Sequence, residues 1–591
     1  MAMSMGGKGR GSGTSIAAGL SWGSLCIRRY SLCIRGLFNL PQRPYSSTVP
    51  IGPNRSTIMQ SNTAPQPQAT KAKASSLLNG DVGGTIKGSH DVKEPGPGAA
   101  QQWKEGVGMR EGEENFLRNF FELILEEGIS KPLGAKCKVI NFQHPHELKN
   151  QMDFTIKDDP ESHESLLDLC KQTYDHSVKV SHPQFYNQLF AGQDMYGLAG
   201  AWMTESLNES QYTYEVAPVF TLIEQEVLSK LRELCGYKSG DGIFCPGGSL
   251  GNMYAINHAR YMVNEDYKEN GNFNSKPLQI FTSDQSHYSL LKGSAFLGIG
   301  TNNVIKIETD KNGRMIPEAL DRAISAAKLN GAIPLMVVAT SGTTVYGAYD
   351  PLNEIADICV KYGIWFHIDA AWGGSALLSS TYRHYLDGIH RSNSVTWCQH
   401  KMMGVPLQCS AFLLNGNETL MNRCMSAKAK YLFQQDKFYD ISYDTGDKSL
   451  QCGRKVDAFR LWLMWKAKGN KGFEAEIDHK FAISRYFTQL LHERDGFEVL
   501  MEPQCTNVCF WFIPASLRDE ERTPEFWERL SKVAPAIKEG MVLEGSMLIG
   551  YQPNGDHINF FRIIFSNARV TKESVAFVLD EIDRLGRDLQ V

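Results

Sequence analysis

Between residues 334 and 397 the chain repeats one pattern: an apolar run of strand length, a helical stretch, then another apolar run. Pro334-Leu335-Met336-Val337-Val338-Ala339-Thr340 is apolar almost throughout and too short for a buried helix, so it reads as a strand covered on both faces. Asp350 and Pro351 then mark a helix start, with Asp350 as the expected cap. Leu352, Ile355, Ala356 and Cys359 form that helix's apolar stripe, and Gly363 ends it. Residues 364–368 and 394–397 are further strand candidates, as are 280–283 upstream. Strands alternating with helices predict an α/β architecture with a mostly parallel sheet. Ligands of such sheets gather at the carboxyl ends of the strands, so chemistry is expected just after each run.

The flanks differ. Folding signals begin near Glu113, where Phe116, Phe120 and Ile124 recur at helical spacing and Gly128 offers a stop. After residue 454 helices mix with strands at 507–513 and 558–565, and a last helix carries Val575, Val578, Ile582 and Leu585. Four parts are expected: a basic extension without fold (1–112), a helical segment (113–204), a large domain (205–454) and a smaller α+β C-terminal domain (455–591). Residues 1–80 hold nine Lys or Arg and no Asp or Glu. The first 110 residues, rich in Gly, Ser, Pro and Gln, cannot bury enough apolar surface to offset chain entropy. Residues 24–35, Arg- and Ser-rich and free of acids, are similar to a mitochondrial transit peptide; a basic tail on a cytoplasmic protein is the other reading. A net charge of −4 gives no reason to expect nucleic acid, and no run of 18 apolar residues predicts a membrane span. The thirteen cysteines contain no CxxC pair and read as free thiols in a reducing compartment, with no metal site.

Three stretches carry chemistry. The first runs from Gly240 through Gly242, Gly247, Gly248, Ser249 and Gly251 to Asn252, and a helical run from Met253 to Val263 follows. Glycines let the backbone approach an anion and a helix start offers free N–H groups, which suits a phosphate. The nucleotide P-loop pattern is absent, and a tight turn would use the same glycines. In His367-Ile368-Asp369-Ala370-Ala371-Trp372-Gly373-Gly374, Asp369 ends a buried strand. A buried carboxylate requires a cationic or donating partner: a pyridinium nitrogen is one, the start of the next segment another. In Ser394-Val395-Thr396-Trp397-Cys398-Gln399-His400-Lys401-Met402-Met403, Lys401 follows a strand among apolar residues. Such a lysine has a lowered pKa and can form a Schiff base, whereas a surface lysine is the plain alternative. Asp369 and Lys401 follow successive strands, so both can flank one cofactor.

Together with Asp284-Gln285-Ser286-His287-Tyr288-Ser289, Ala339-Thr340-Ser341-Gly342-Thr343-Thr344, Tyr431-Leu432-Phe433-Gln434-Gln435-Asp436-Lys437 and Asn559-Phe560-Phe561-Arg562, these stretches occur in a familiar order. From about Glu113 to the C-terminus the chain resembles the group II pyridoxal-phosphate-dependent decarboxylases, the family of the glutamate, cysteine sulfinate and insect-type aspartate 1-decarboxylases. The resemblance implies pyridoxal 5′-phosphate as cofactor, the aspartate-aminotransferase-like fold type I, and a homodimer. It implies that Lys401 forms the Schiff base, that Asp369 holds the ring nitrogen and that His287 stacks on the ring. Gly248 and Ser249 would bind the phosphate, with His400 and Ser410 nearby, and Thr344 would lie by the ring substituents. Arg562 would pair with the substrate's α-carboxylate, and Tyr431, on a mobile loop, would protonate the α-carbon. Arg562 also stands out by pattern. Phe560, Arg562 and Ile564 share a face by alternation, and a guanidinium between apolar neighbours calls for an anion, whether substrate or a structural Asp or Glu. Two places depart from the family: Cys398-Gln399 stand where Asn-Pro is usual, and Gly251 precedes Asn252 where Ser is common.

Within the resemblance, Gln188 and Phe190 of Tyr186-Asn187-Gln188-Leu189-Phe190 match the segment that contacts the substrate's distal group. Glutamate decarboxylases carry Ser where Phe190 stands, and the larger ring fills the space a longer side chain needs. Gln399, counted as a substrate contact, is similar to the insect-type aspartate decarboxylases. The expected reaction is therefore L-aspartate to β-alanine and CO2, then cysteine sulfinate to hypotaurine, then glutamate to 4-aminobutanoate. An aminotransferase on the same fold and a cofactor-free binding protein are the readings from other classes.

Overall fold

The computed structural model describes residues 109–591 apart from Glu111, Ala135 and Asn274; the expectations for the basic extension lie outside the described residues. The alternating stretch builds a seven-stranded sheet from β1 (Gly242–Phe244), β2 (Leu278–Ser283), β3 (Val304–Ile307), β4 (Ile333–Thr340), β5 (Trp365–Asp369), β6 (Ser394–Cys398) and β7 (Ser410–Leu414), in the order β1-β7-β6-β5-β4-β2-β3. Strands β3, β2, β4, β5 and β6 run parallel, while β7 is antiparallel to both its neighbours. Strand β4 shows why its run is wholly apolar. Val337 and Ala339 face one core, and Leu335 and Val338 face another beneath α1 (Gly248–Val263).

Helix α2 (Leu352–Tyr362) follows β4, and Gly363 ends it in the left-handed conformation at φ 66°. Its start corrects the expected cap. The Asp350 carboxylate accepts from the backbone N–H groups of Met315 and Thr340, each at 2.7 Å, and so ties down the end of β4. Gly128 does not stop the first helix either. Glu113–Leu123 continues as a π-helical stretch, Ile124–Ser130, and the backbone turns extended only at Gly134. Gly128 serves packing: a Cβ there would lie 3.0 Å from the Tyr174 ring.

The C-terminal part is α+β. Strands β8 (Phe497–Val499), β9 (Asn507–Phe512), β10 (Gly550–Asn554) and β11 (His557–Ile564) form an antiparallel sheet in the order β10-β11-β9-β8. Helix α3 (Asp457–Glu493), kinked at Gly469, joins the two sheets. Its Phe473, Ile477 and Phe481 sit in the large-sheet core and its Ile483, Phe487 and Leu491 in the small-sheet core. Helices α4 (Val533–Glu544) and α5 (Lys572–Gly586) complete the second core. A segment from the N-terminal part extends this sheet: Leu548 N–H donates to Gln184, Tyr186 N–H to Leu548 and Ile564 N–H to Tyr186. Residues 186–190 are thereby laid beside Arg562. The described cysteines are free thiols, most of them buried, and no described helix is long and apolar enough to cross a membrane.

Candidate active site

The glycine-rich stretch is itself the first turn of α1, which starts at Gly248 rather than at Met253. Gly247 needs its φ of 90°. Gly248 and Gly251 are needed for closeness: a Cβ would lie 2.9 Å from Cys398 Sγ at the first and 2.7 Å from Thr396 at the second. The helix start thus rests directly on β6. No side chain caps it, which leaves N–H groups at Gly248 and Ser249 for an anion.

Asp369 ends β5 and is 5% exposed. Its Oδ2 accepts from Asn252 Nδ2 at 2.8 Å and its Oδ1 from the Ala371 N–H at 3.1 Å, both neutral donors. No cation pairs with this carboxylate among the described residues, which fits a protonated ring nitrogen as its partner. Asn252, which the sequence marked only as the end of the glycine-rich stretch and gave no role, organises this corner. Its Nδ2 also donates to Ser289 Oγ at 3.0 Å, and its Oδ1 faces His367 Nε2 at 3.1 Å. His367 Nδ1 lies 2.8 Å from Ser394 Oγ, and burial pushes its pKa down to about 4, so the ring is neutral and steers Asn252 rather than titrating. The only sequence signal was spacing, since residue 252 lies one helical turn after Gly248.

His287 follows β2. Burial lowers its pKa, with the Asp369 carboxylate opposing that shift and Lys401 adding to it. Lys401 follows β6, half-buried, with no described hydrogen bond or ion pair on its Nζ. Ser410 Oγ reaches Cys398 Sγ at 3.1 Å and His400 Nδ1 at 3.3 Å; burial holds His400 neutral, its pKa about 4. Gln399 is wholly buried, with Oε1 4.0 Å from the Cys409 thiol and Nε2 without a partner among the described residues.

A second group lies at the small sheet. Arg562 sits between buried Phe560 and Ile564, as the alternation requires. Its Nη1 donates to the Thr344 carbonyl at 2.9 Å, its Nη2 faces the Asn187 carbonyl at 3.5 Å, and its Nε has no partner. The structural ion pair is not formed among the described residues, and burial lowers the guanidinium's pKa. Phe190 is half-buried and Gln188 exposed. Tyr431 is not brought to either group: it is 79% exposed on a loop outside helices and strands. That loop is pinned at its ends by Ser426 to Asp447 and by Lys437 to Asp444.

Seven strands in this order, with an anion-binding helix start, an uncompensated carboxylate and an unengaged lysine at their carboxyl ends, define a pyridoxal-phosphate enzyme of fold type I. The chain belongs to the family of pyridoxal-dependent decarboxylases: the profile of the pyridoxal-dependent decarboxylase conserved domain matches residues 145–513. It is 53% identical over 476 residues to human cysteine sulfinic acid decarboxylase, covering 80% of this chain and 97% of that protein. It is equally 53% identical over 476 residues to the acidic amino acid decarboxylase GADL1 of Xenopus tropicalis, covering 80% and 93%. A crystal structure of mouse CSAD superposes with a TM-score of 0.80 at 51% identity, covering 82% of this chain and all of that one. The protein is thus a pyridoxal-phosphate-dependent decarboxylase, and the aminotransferase and cofactor-free readings fall.

Proposed function

We propose that the enzyme removes the α-carboxylate of a short acidic amino acid, cysteine sulfinate or aspartate, in preference to glutamate, and works as a homodimer. Arg562 carries the amino-acid substrate: a half-buried guanidinium that binds only carbonyls, with Nε unpaired, requires an anion such as the α-carboxylate. The relatives named for cysteine sulfinic acid and for acidic amino acids support the same class, and cysteine sulfinate in particular. Phe190 and Gln399, whose Nε2 has no partner among the described residues, support aspartate.

Bound pyridoxal phosphate supplies the electron sink for the breaking bond. In this reading Lys401 Nζ carries the cofactor, while Gly248 and Ser249 hold its phosphate with His400 and Ser410 behind them. Asp369 Oδ2, aimed by Asn252, keeps a proton on the ring nitrogen. His287 and Thr344 would help hold the cofactor. Arg562 would hold the α-carboxylate and so fix the orientation of the bond to be broken. Gln188 and Phe190 border the distal group. Tyr431 Oη returns a proton to the α-carbon; being 79% exposed, it reaches a substrate only after its loop closes or across a subunit boundary, which is why the dimer belongs to the proposal.

The test is product analysis with the three acids in competition. Hypotaurine and β-alanine should exceed 4-aminobutanoate, and a dominant 4-aminobutanoate peak would overturn the proposal.

A further inference from the structure

Two half-buried cations, not one, bracket the segment that leads to Gln188 and Phe190. Asn187 is held at both ends. Its carbonyl faces Arg562 Nη2 at 3.5 Å, and its side-chain Oδ1 accepts from Lys538 Nζ at 3.1 Å. Lys538 stands on α4 and also donates to the Ile549 carbonyl at 2.6 Å. The next residue, Gly550, pairs with Arg562 across β10 and β11. A Cβ at Gly550 would come within 3.7 Å of both Arg562 Nη2 and the Asn187 carbonyl oxygen, so the three groups meet at one patch.

Neither cation has a carboxylate among the described residues. Burial is the one influence on Lys538, lowering its pKa to about 8 with no acidic group opposing it. For Arg562 only the Cys509 thiol opposes burial. An ammonium desolvated against two carbonyl-type acceptors recovers little of what burial costs it, and a strut between Asn187 and Ile549 could as well be neutral. Two uncompensated positive charges at one patch call for a ligand with two negative charges. There is also a local consequence. With Oδ1 committed to Lys538, the Asn187 amide keeps Nδ2, which has no described partner, as the donor available to an anion.

We propose that Lys538 is a specificity-determining residue that makes the pocket select dianionic amino acids, acting on the distal acid group by orienting the Asn187 amide and by its own charge. This rests on the reading of Arg562 as the partner of the α-carboxylate. The test uses the holoenzyme and three variants: Lys538→Met, Lys538→Gln, which keeps a hydrogen-bond donor, and Lys538→Arg, which keeps the charge. The probes are succinate, a dianion without an amine, and propionate, its monoanionic counterpart, as competitive inhibitors, together with the KM for cysteine sulfinate. In the Met and Gln variants the succinate inhibition constant and the KM should rise about tenfold or more, and the propionate constant by less than about threefold. kcat should change by less than about fivefold, the visible absorbance of the bound cofactor should be unchanged, and Lys538→Arg should recover most of the loss. Equal weakening of succinate and propionate, or no weakening of either, overturns the proposal. If Lys538→Met does not fold, the contrast between Gln and Arg decides the matter. A separate Arg562→Lys variant should weaken both inhibitors. If it weakens neither, the α-carboxylate reading fails, while the Lys538 contrast still stands or falls on its own result.

Discussion

Replacing Gly251 by Ala tests whether the contact between α1 and β6 shapes the cofactor site. A Cβ at residue 251 would lie 2.7 Å from both Cγ2 and Oγ1 of Thr396, where carbon atoms in contact prefer about 3.5–4.0 Å. Thr396 cannot easily turn away, because it is wholly buried in a central strand with Oγ1 3.4 Å from His367 Nε2. Nor can the helix slide, since Gly248 already rests against Cys398. Overpacking of this kind costs about 1–3 kcal/mol, against roughly 1 kcal/mol gained by replacing glycine within a helix. The net loss should fall on the helix start, and cofactor affinity should drop about tenfold as the Gly248 and Ser249 N–H groups are lifted. Thr396→Ala removes the two clashing atoms and leaves the remaining contact at 3.3 Å, to Thr396 Cβ. The double variant should therefore be more stable than Gly251→Ala alone, with a coupling of about 1–3 kcal/mol. Melting temperatures of apoenzyme and holoenzyme, and cofactor titration followed by visible absorbance, read both effects. If Gly251→Ala matches the parent in both, or if Thr396→Ala brings no relief, the contact does not determine the glycine.

Lys401→Ala should lose the visible absorbance of the attached cofactor and nearly all turnover; a variant that keeps that absorbance refutes the role of Lys401. Asn252→Ala removes the amide that pairs with Asp369 Oδ2 and His367 Nε2, worth about 1–3 kcal/mol, so cofactor affinity should fall about 5- to 150-fold with the fold intact; unchanged titration of the apoenzyme would count against it. Phe190→Ser should raise kcat/KM for glutamate relative to aspartate by about ten- to two-hundred-fold, whereas equal changes for both acids would make Phe190 ordinary packing. Lys480 is 2% exposed, donates to the Met402 carbonyl at 2.7 Å, and has its pKa lowered by burial to about 8 from 10.5. Between those values the unfolded chain binds the extra proton, so this lysine's penalty, roughly 3 kcal/mol, is complete below pH 8 and relieved as pH rises toward 10.5. The melting temperature of the parent relative to Lys480→Met should climb over that range, and a flat difference refutes the burial argument.

The large sheet was legible because strands buried on both faces are apolar throughout, and the residues that follow β5 and β6 are necessarily at the ligand side. Asp369 and Lys401 could be found on that ground. Asn252 could not, since its meaning comes from contacts 117 positions away at Asp369 and 115 away at His367. Asp350 has every local mark of a helix cap, but its two acceptor oxygens are taken by Met315, 35 positions earlier, and by Thr340. Gln399 was found beside Lys401, but that its side chain is wholly buried with Nε2 unpaired could not be read from the sequence. Lys538 carried no local pattern, its partner Asn187 being 351 positions away.

The two ends of the pocket hang on different frames. Gly248, Ser249, His287, Asp369 and Lys401 belong to the large sheet and the helix start above it, whereas Arg562, Lys538 and residues 184–190 belong to the small sheet. The frames meet at Thr344, whose carbonyl accepts from Arg562 and from Asn507 Nδ2, and at Trp372, whose indole N–H donates to Asn507 Oδ1 at 2.7 Å. Substitutions around Arg562 and Lys538 should therefore bear first on substrate choice and only indirectly on the groups of the large sheet, to which helix α3 and the Asn507 contacts couple them. The same division explains how a decarboxylase of this fold can change its substrate by altering the small sheet and the segment laid against it, while Asp369 and Lys401 keep their positions on the large one.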